Sequence, residues 1–180
     1  ELAIDSDSAF EIVYRSGVGK ISRIFGFALK DRISNVVLMQ KFLIDARGPY
    51  DVLEESPKNK LMHRKFEELD EKYQKLIEKS LGSVDSGKLL FFKYAGDVSM
   101  SKDIANELIY RFPDKIIVVA YASGFKVNLS GRGAGIKQIL ARAVEGLEGA
   151  TSGGHEFAVG GQIRKDDLDK FKERLDKLIG

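Results

Sequence analysis

The chain contains no cysteine and no tryptophan, and only two histidines and three prolines. The missing cysteine excludes disulfides, thiolate metal sites and cysteine nucleophiles together. It also fits a reducing compartment, and a cytoplasmic location is expected. Two histidines far apart in sequence, with acids scattered between them, do not supply the convergent ligands of a metal centre. No apolar run approaches the ~20 residues that cross a bilayer, and none has the basic, apolar and small-residue order of a signal peptide. Strong charge of one sign is lacking too, because 29 Lys and Arg stand against 27 Asp and Glu. A strongly basic domain would point to nucleic acid by itself. Here any polyanion has to be gripped by a local site.

What is present is ordinary globular material: 180 residues, 43% hydrophobic and 31% charged. That length holds one domain, or one domain with a helical extension, and is enough to bury a core. The sequence starts at Glu1 rather than Met, as expected of a piece of a longer protein.

Residues 1–80 read as a helical segment and 81–180 as an alternation of strands and helices, joined by the Gly- and Ser-rich stretch 80–88. In the first part, Ile33, Val36, Val37, Met39 and Leu43 recur near helical spacing within a helix expected over 21–46, ended by Gly48-Pro49. A short turn is expected at 51–55. A second helix over 58–81 carries Met62, Phe66, Leu69, Tyr73 and Leu76 as one apolar seam. His63 sits on this charged helix and is expected to be solvated.

In the second part, 89–94 is a strand. Ser99 or Ser101 caps a helix with Ile104, Leu108, Ile109 and Phe112 on one face, and Pro113 ends it. The continuous apolar run 115–121 suits a central strand covered on both faces. After a turn at 122–124, the strand 125–130 alternates: Phe125, Val127 and Leu129 face one way, and Lys126, Asn128 and Ser130 the other. A glycine loop (131–135) opens a helix over 136–147. Residues 149–161 read as loop, a strand follows near Gln162-Ile163, and a last helix begins at Asp166 or Asp167. The expected fold class is α/β, a mixed sheet with flanking helices, preceded by the helical segment.

The glycine loop follows a strand and opens a helix, the setting of a dinucleotide fingerprint. The third glycine of that fingerprint would fall at Ile136, so this reading fails. SGVGK at 16–20 is no P-loop either, because Tyr14 stands where the first glycine belongs and Ile21 follows the lysine, and it reads as a turn. Small residues at a helix start nevertheless let a phosphate approach free backbone N–H groups. If strand alternation continues past Ser130, then Lys126, Asn128, Ser130 and Arg132 all point the same way, a row of donors in which Arg132 can clamp phosphate in a bidentate manner. A solvent-facing strand edge would show the same pattern. Gly153-Gly154 turns the backbone just before His155, whose imidazole can donate to a phosphate or sugar oxygen; a structural capping histidine is the plainer alternative. Tyr121, Phe125 and Phe157 can stack on bases or pack a core.

Ser130-Gly131-Arg132 and Gly153-Gly154-His155, followed by Ala158-Val159-Gly160, in this strand–helix order resemble the DHH-associated C-terminal domain of RecJ-like phosphoesterases. The resemblance covers roughly residues 88–180; residues 1–80 are similar, more loosely, to the helical stretch linking the two halves of such nucleases. It implies phosphate binding by Ser130, Arg132, Gly153, Gly154 and His155, with Gly131 and Gly133 allowing close approach; the row of donors on the strand adds Lys126 and Asn128 as additional contacts. It implies Mn2+ or Mg2+ in a DHH domain whose adjacent His-His motif is absent from this sequence, and so a chain that binds but does not cleave by itself. The implied parent is a single-strand-specific exonuclease of repair or replication, of the archaeal type, with single-stranded DNA or RNA, or a short oligonucleotide, as partner and no membrane association. Alternatives that share the domain are an oligoribonuclease or dinucleotide phosphodiesterase, a non-catalytic module that grips a replisome protein, and the related tRNA-holding domain of alanyl-tRNA synthetases.

Overall fold

In the computed structural model, which describes residues 2–180, the chain divides into two compact units, one ending at Lys75 and one running from Leu76 to Gly180. The first unit is helical: α1 (Ala9–Arg15), α2 (Gly17–Ala28), α3 (Ile33–Asp45), α4 (Pro49–Leu53) and most of α5 (Lys60–Leu81). The single helix expected over 21–46 is therefore two. Asp31 accounts for the break. Its carboxylate accepts the Arg32 backbone N–H at 2.8 Å and the Asn35 side-chain amide at 2.8 Å, the local bonding by which Asp favours helix starts over helix interiors.

The turn expected at 16–20 is instead the start of α2. Ser16 Oγ accepts the Gly19 N–H at 3.0 Å, an N-cap, and a Cβ on Gly19 would overlap the Val13 carbonyl of α1. The short turn near 51–55 is a helix set two residues earlier, with Pro49 at its first position. Met62, Phe66, Leu69 and Tyr73 of the α5 seam are buried. Phe27 of α2 fits between two of them, 6.1 Å from the Phe66 ring and 5.5 Å from Tyr73. Leu76 is only half-buried, and Ile77 is buried in its place.

His63 is not solvated as expected. It is 5% exposed, and its Nε2–H donates to the Val52 carbonyl of α4 at 2.9 Å. A polar ring can enter a helical core when a carbonyl satisfies its N–H, and helical periodicity does not reveal that carbonyl.

The second unit is built from β1 (Leu89–Ala95), α6 (Ser101–Arg111), β2 (Ile116–Ser123), β3 (Lys126–Arg132), α7 (Ile136–Val144), β4 (Thr151–His155), β5 (Ala158–Arg164) and α8 (Leu168–Ile179), with a 3-10 turn at 165–167 before α8. The mixed sheet has the order β1-β2-β3-β5-β4; β1 runs parallel to β2 and every other pair is antiparallel. One face carries Val118, Ala120, Val127, Leu129, Val159 and Ile163, packed under Ile136 and Leu140 of α7 and Phe171 and Leu175 of α8. The other face is covered by α6 over β2 and β3, where Ile104, Ala105 and Leu108 are fully buried. The apolar run of β2 follows from this double cover.

Three details differ from the sequence expectation. Neither Ser99 nor Ser101 caps α6: Met100 is the N-cap residue and makes no side-chain cap bond. Phe125 lies not in the strand but in the Gly124–Phe125 turn, 76% exposed. The segment read as a loop over 149–161 is a β-hairpin, β4 and β5 joined by Glu156-Phe157. Its glycines hid it, because Gly lowers strand propensity. Two of them are required by the pairing itself: a Cβ on Gly154 would overlap the Ala158 carbonyl of the facing strand, and one on Gly161 would stand 2.8 Å from the Thr151 carbonyl.

Candidate phosphate-binding face

The antiparallel registers place the expected site residues in rows across the sheet. Arg132 pairs with Ala158, and Ala158 with His155. One step along, Ser130 pairs with Gly160, and Gly160 with Gly153. Next come Asn128, Gln162 and Thr151, and last Lys126 beside Arg164. Directly opposed residues of antiparallel strands point to the same side, so all of these side chains share the α6 face. The alternation of β3 does continue through Arg132. Arg132 and His155 stand two strands apart, about 10 Å at the Cα atoms, with only Ala158 between them.

Helix α6 covers this face over β2 and β3. Over β5 and β4 the row residues Gly160, Thr151, Gly153 and His155 are exposed. The result is a shallow floor rather than a closed cavity, with α6 as one wall. The floor lacks side chains at its centre. A Cβ on Gly153 would meet nothing within 4 Å, and one on Gly160 only the Leu129 carbonyl at 3.9 Å. Neither position has the positive φ that forces glycine. Nothing in the packing asks for glycine at these two neighbours, and glycine in a strand interior costs roughly 0.5–1 kcal/mol. A ligand that approaches the backbone closely is one reason for such a residue.

The wall is polar where it meets the floor. Arg132 Nε donates to Asn106 Oδ1 of α6 at 2.7 Å, and Nη1 donates to the Gly131 carbonyl at 2.7 Å. These bonds hold the planar guanidinium in one orientation. Ser130 is buried, and its hydroxyl shares a 3.0 Å hydrogen bond with Ser101 in the first turn of α6. Ser130 thus ties the start of α6 to the floor. Asn128 Oδ1 accepts from Gln162 Nε2 at 2.9 Å, so these two amides form a polar step beyond the glycines.

Gly131 and Gly133 do other work than the approach expected of them. The space over Gly131 is filled by Ile136, whose Cγ1 lies 2.7 Å from where a Cβ would be. Gly133 has φ +122°, and a Cβ there would stand 2.8 Å from the Lys115 carbonyl. Gly131 lets α7 close on the sheet, and Gly133 lets the chain at Lys115-Ile116 approach. Of the aromatics, Tyr121 is buried against Tyr94 at 5.2 Å, and its hydroxyl donates to the Gly96 carbonyl at 2.9 Å. Phe125 and Phe157 are exposed on two turns at opposite ends of β3 and β5. Among the described residues no three His, Asp or Glu side chains converge as a metal site. No helix among them is long and apolar enough to cross a membrane.

Sequence reasoning missed Asn106, Ser101, Gln162 and Arg164. Asn106 and Ser101 lie on α6, and only the packing of that helix brings them to β3. Gln162 and Arg164 would have followed from the alternation of β5 once the hairpin was recognised.

The mixed five-stranded sheet with helices on both faces defines an α/β domain. The model of the DHHA1 domain matches residues 86–180, and the chain belongs to that family, the domain associated with DHH phosphoesterases. It is 30% identical over 115 residues to the Methanocaldococcus jannaschii protein named "Uncharacterized protein MJ0831", which covers 60% of this chain and 26% of the relative. The chain therefore spans about a quarter of the length of that curated relative. Among solved structures it superposes on Thermus thermophilus RecJ in complex with Mg2+, with a TM-score of 0.63, 16% identity, and coverage of 97% of this chain and 26% of that one. An exonuclease RecJ bound to manganese gives 0.67 at 16% identity over 94% and 40%. PggH, a pGpG-specific phosphodiesterase from Vibrio, gives 0.61 at 16% identity over 97% and 63%. At these identities the likeness is one of fold.

Proposed function

We propose that the face formed by the Arg132–Ala158–His155 row and the glycines of the adjoining row binds a phosphate of a single-stranded DNA or RNA strand or short oligonucleotide, as the substrate-holding part of a RecJ-like phosphodiester hydrolase. One observation carries the reading: Arg132, Ala158 and His155 form a single row on one face of the sheet, next to the Ser130–Gly160–Gly153 row. The Arg132 guanidinium clamps the phosphate, and His155 donates from the other side. Gly153 and Gly160 leave the floor bare, while Gly154 shapes β4 so that His155 stands at its end. Ser130 fixes α6, Gly131 lets α7 pack beneath, and Gly133 makes room for the chain at Lys115-Ile116. Divalent Mn2+ or Mg2+, held by another part of a longer protein, would activate the attacking water. This chain would orient the strand and not cleave it.

The test uses the 180-residue chain and a 5′-phosphorylated single-stranded oligonucleotide labelled at its 3′ end, followed by fluorescence anisotropy. Losing a charge-assisted bidentate contact in Arg132→Ala is expected to weaken binding by roughly tenfold or more, about 1.4 kcal/mol or above. Unchanged affinity would remove Arg132 from the site. A second reading, a hydrolase of dinucleotides, shares the same floor and is supported by the fold likeness to PggH. It predicts that affinity stops rising beyond two nucleotides.

A further inference from the structure

The row that ends the floor carries cations of its own. Lys126 and Arg164 are directly paired across β3 and β5 on the α6 face, and both are exposed. Lys126 lies six residues from Arg132, about 20 Å along the strand. Between the two ends lie the glycines and the Asn128–Gln162 amide pair, with no apolar side chain in the rows of β3 and β5 other than Ala158. Beside Lys126 the Phe125 ring projects from its turn, 76% exposed, with the ammonium 5.8 Å from its centroid. The turn is fixed to the sheet by the Lys165 N–H, which donates to the Phe125 carbonyl at 2.9 Å. Arg164 Nη1 is paired with Glu148 at 2.7 Å, but both side chains are more than half exposed. Such a pair is held weakly, and a phosphate can take the place of the carboxylate.

An exposed aromatic ring beside a cluster of cations is the pattern that holds single strands without reading their sequence, the ring stacking a base and the cations taking the backbone. We infer that Phe125, Lys126 and Arg164 form a second subsite, which holds a downstream nucleotide of a strand whose phosphate is anchored at Arg132 and His155. This rests on the function proposed above and deepens it: the ligand is a polynucleotide long enough to span the floor, and a dinucleotide fills only the Arg132 end.

The experiment measures dissociation constants of the 180-residue chain for 5′-phosphorylated oligonucleotides of increasing length, from the dinucleotide upward, for the parent, Phe125→Ala, Lys126→Ala/Arg164→Ala and Arg132→Ala. All four positions lie at least partly at the surface, and circular dichroism confirms that each variant is folded. In the parent, affinity is expected to rise with length and then level off once the floor is filled. The double variant is expected to bind the dinucleotide as the parent does and to lose the gain on lengthening, roughly tenfold, with the salt slope for the longer strand falling by about 0.7 per lost phosphate contact. Phe125→Ala should lose part of the same gain without changing the salt slope. Arg132→Ala should weaken every length. If the double variant follows the parent at every length while Arg132→Ala loses all of them, the second subsite is wrong and the anchor stands. If the double variant also loses the dinucleotide, the two ends are not separate and the inference is again overturned. If the parent binds no oligonucleotide of any length, both readings fail.

Discussion

The substitution Gly153→Ala separates a ligand floor from an ordinary glycine-rich strand. At this position the added methyl meets no atom within 4 Å, and the backbone φ is not in the left-handed region. Replacing a strand glycine by alanine under those conditions removes unfolded-state freedom and is expected to stabilise by about 0.4–1 kcal/mol. For a cooperative unit of this size that raises Tm by a few degrees, at roughly 4–8 °C per kcal/mol. On the function proposed above, the same methyl stands in the bare row beside Arg132, Ala158 and His155 and holds a phosphate away from the backbone, so affinity for a 5′-phosphorylated oligonucleotide should fall by roughly tenfold, about 1.4 kcal/mol. Gly160→Ala should behave alike, its only neighbour being a carbonyl at 3.9 Å. The controls lie one residue away. Gly154→Ala and Gly161→Ala drive a methyl against the Ala158 and Thr151 carbonyls and should destabilise by roughly 1–3 kcal/mol. Thermal melts and anisotropy on the four variants give the answer. A Gly153→Ala protein that is as stable as the parent and binds as tightly would refute the floor, because the absence of a side chain there would then have no purpose in either folding or binding.

His155→Ala should reduce oligonucleotide affinity with little change in Tm, because the ring is exposed at the end of β4; a drop of many degrees would identify it as a structural cap. Asn106→Ala should weaken binding less than Arg132→Ala and have no further effect in the Arg132→Ala background, which a double-mutant cycle reads directly, since Asn106 acts by holding the guanidinium. His63→Ala should cost roughly 1–3 kcal/mol in chemical denaturation, because it removes a buried ring and leaves the Val52 carbonyl unpaired. Burial pushes the Tyr94 hydroxyl up to about 12, against the opposing effect of the hydrogen bond it accepts from the Met100 N–H at 2.6 Å. The folded state then holds this proton more tightly than the unfolded state, so its contribution is complete below about pH 10 and is lost as pH rises toward about 12. A denaturation series over that window should show an alkaline slope that Tyr94→Phe reduces.

The strands β1, β2 and β3 and the helices α5, α6, α7 and α8 were legible in the sequence, because each shows its own local periodicity. β3 also gave the row Lys126, Asn128, Ser130 and Arg132, since alternation requires nothing beyond the strand. The β4–β5 hairpin was not legible. Its segments are short and rich in glycine, and two of those glycines serve backbones that meet only after pairing. The break between α2 and α3 depended on one carboxylate bonding its own neighbours, a local cause that the apolar spacing concealed. His63 was misjudged because helical periodicity counts its neighbours as charged and cannot show the α4 carbonyl that satisfies it.

By itself the sequence determined the chemistry on offer: no thiol, few imidazoles, and an Arg and a His each beside glycines in an order resembling one family. Tertiary structure decided which glycines are open and which are filled. Gly131, Gly133, Gly154 and Gly161 serve close packing, while Gly153 and Gly160 face empty space. It also decided that Arg132 and His155 share a row, because antiparallel register sets which distant residues stand side by side, and register comes from the pairing of whole strands rather than from any residue within them.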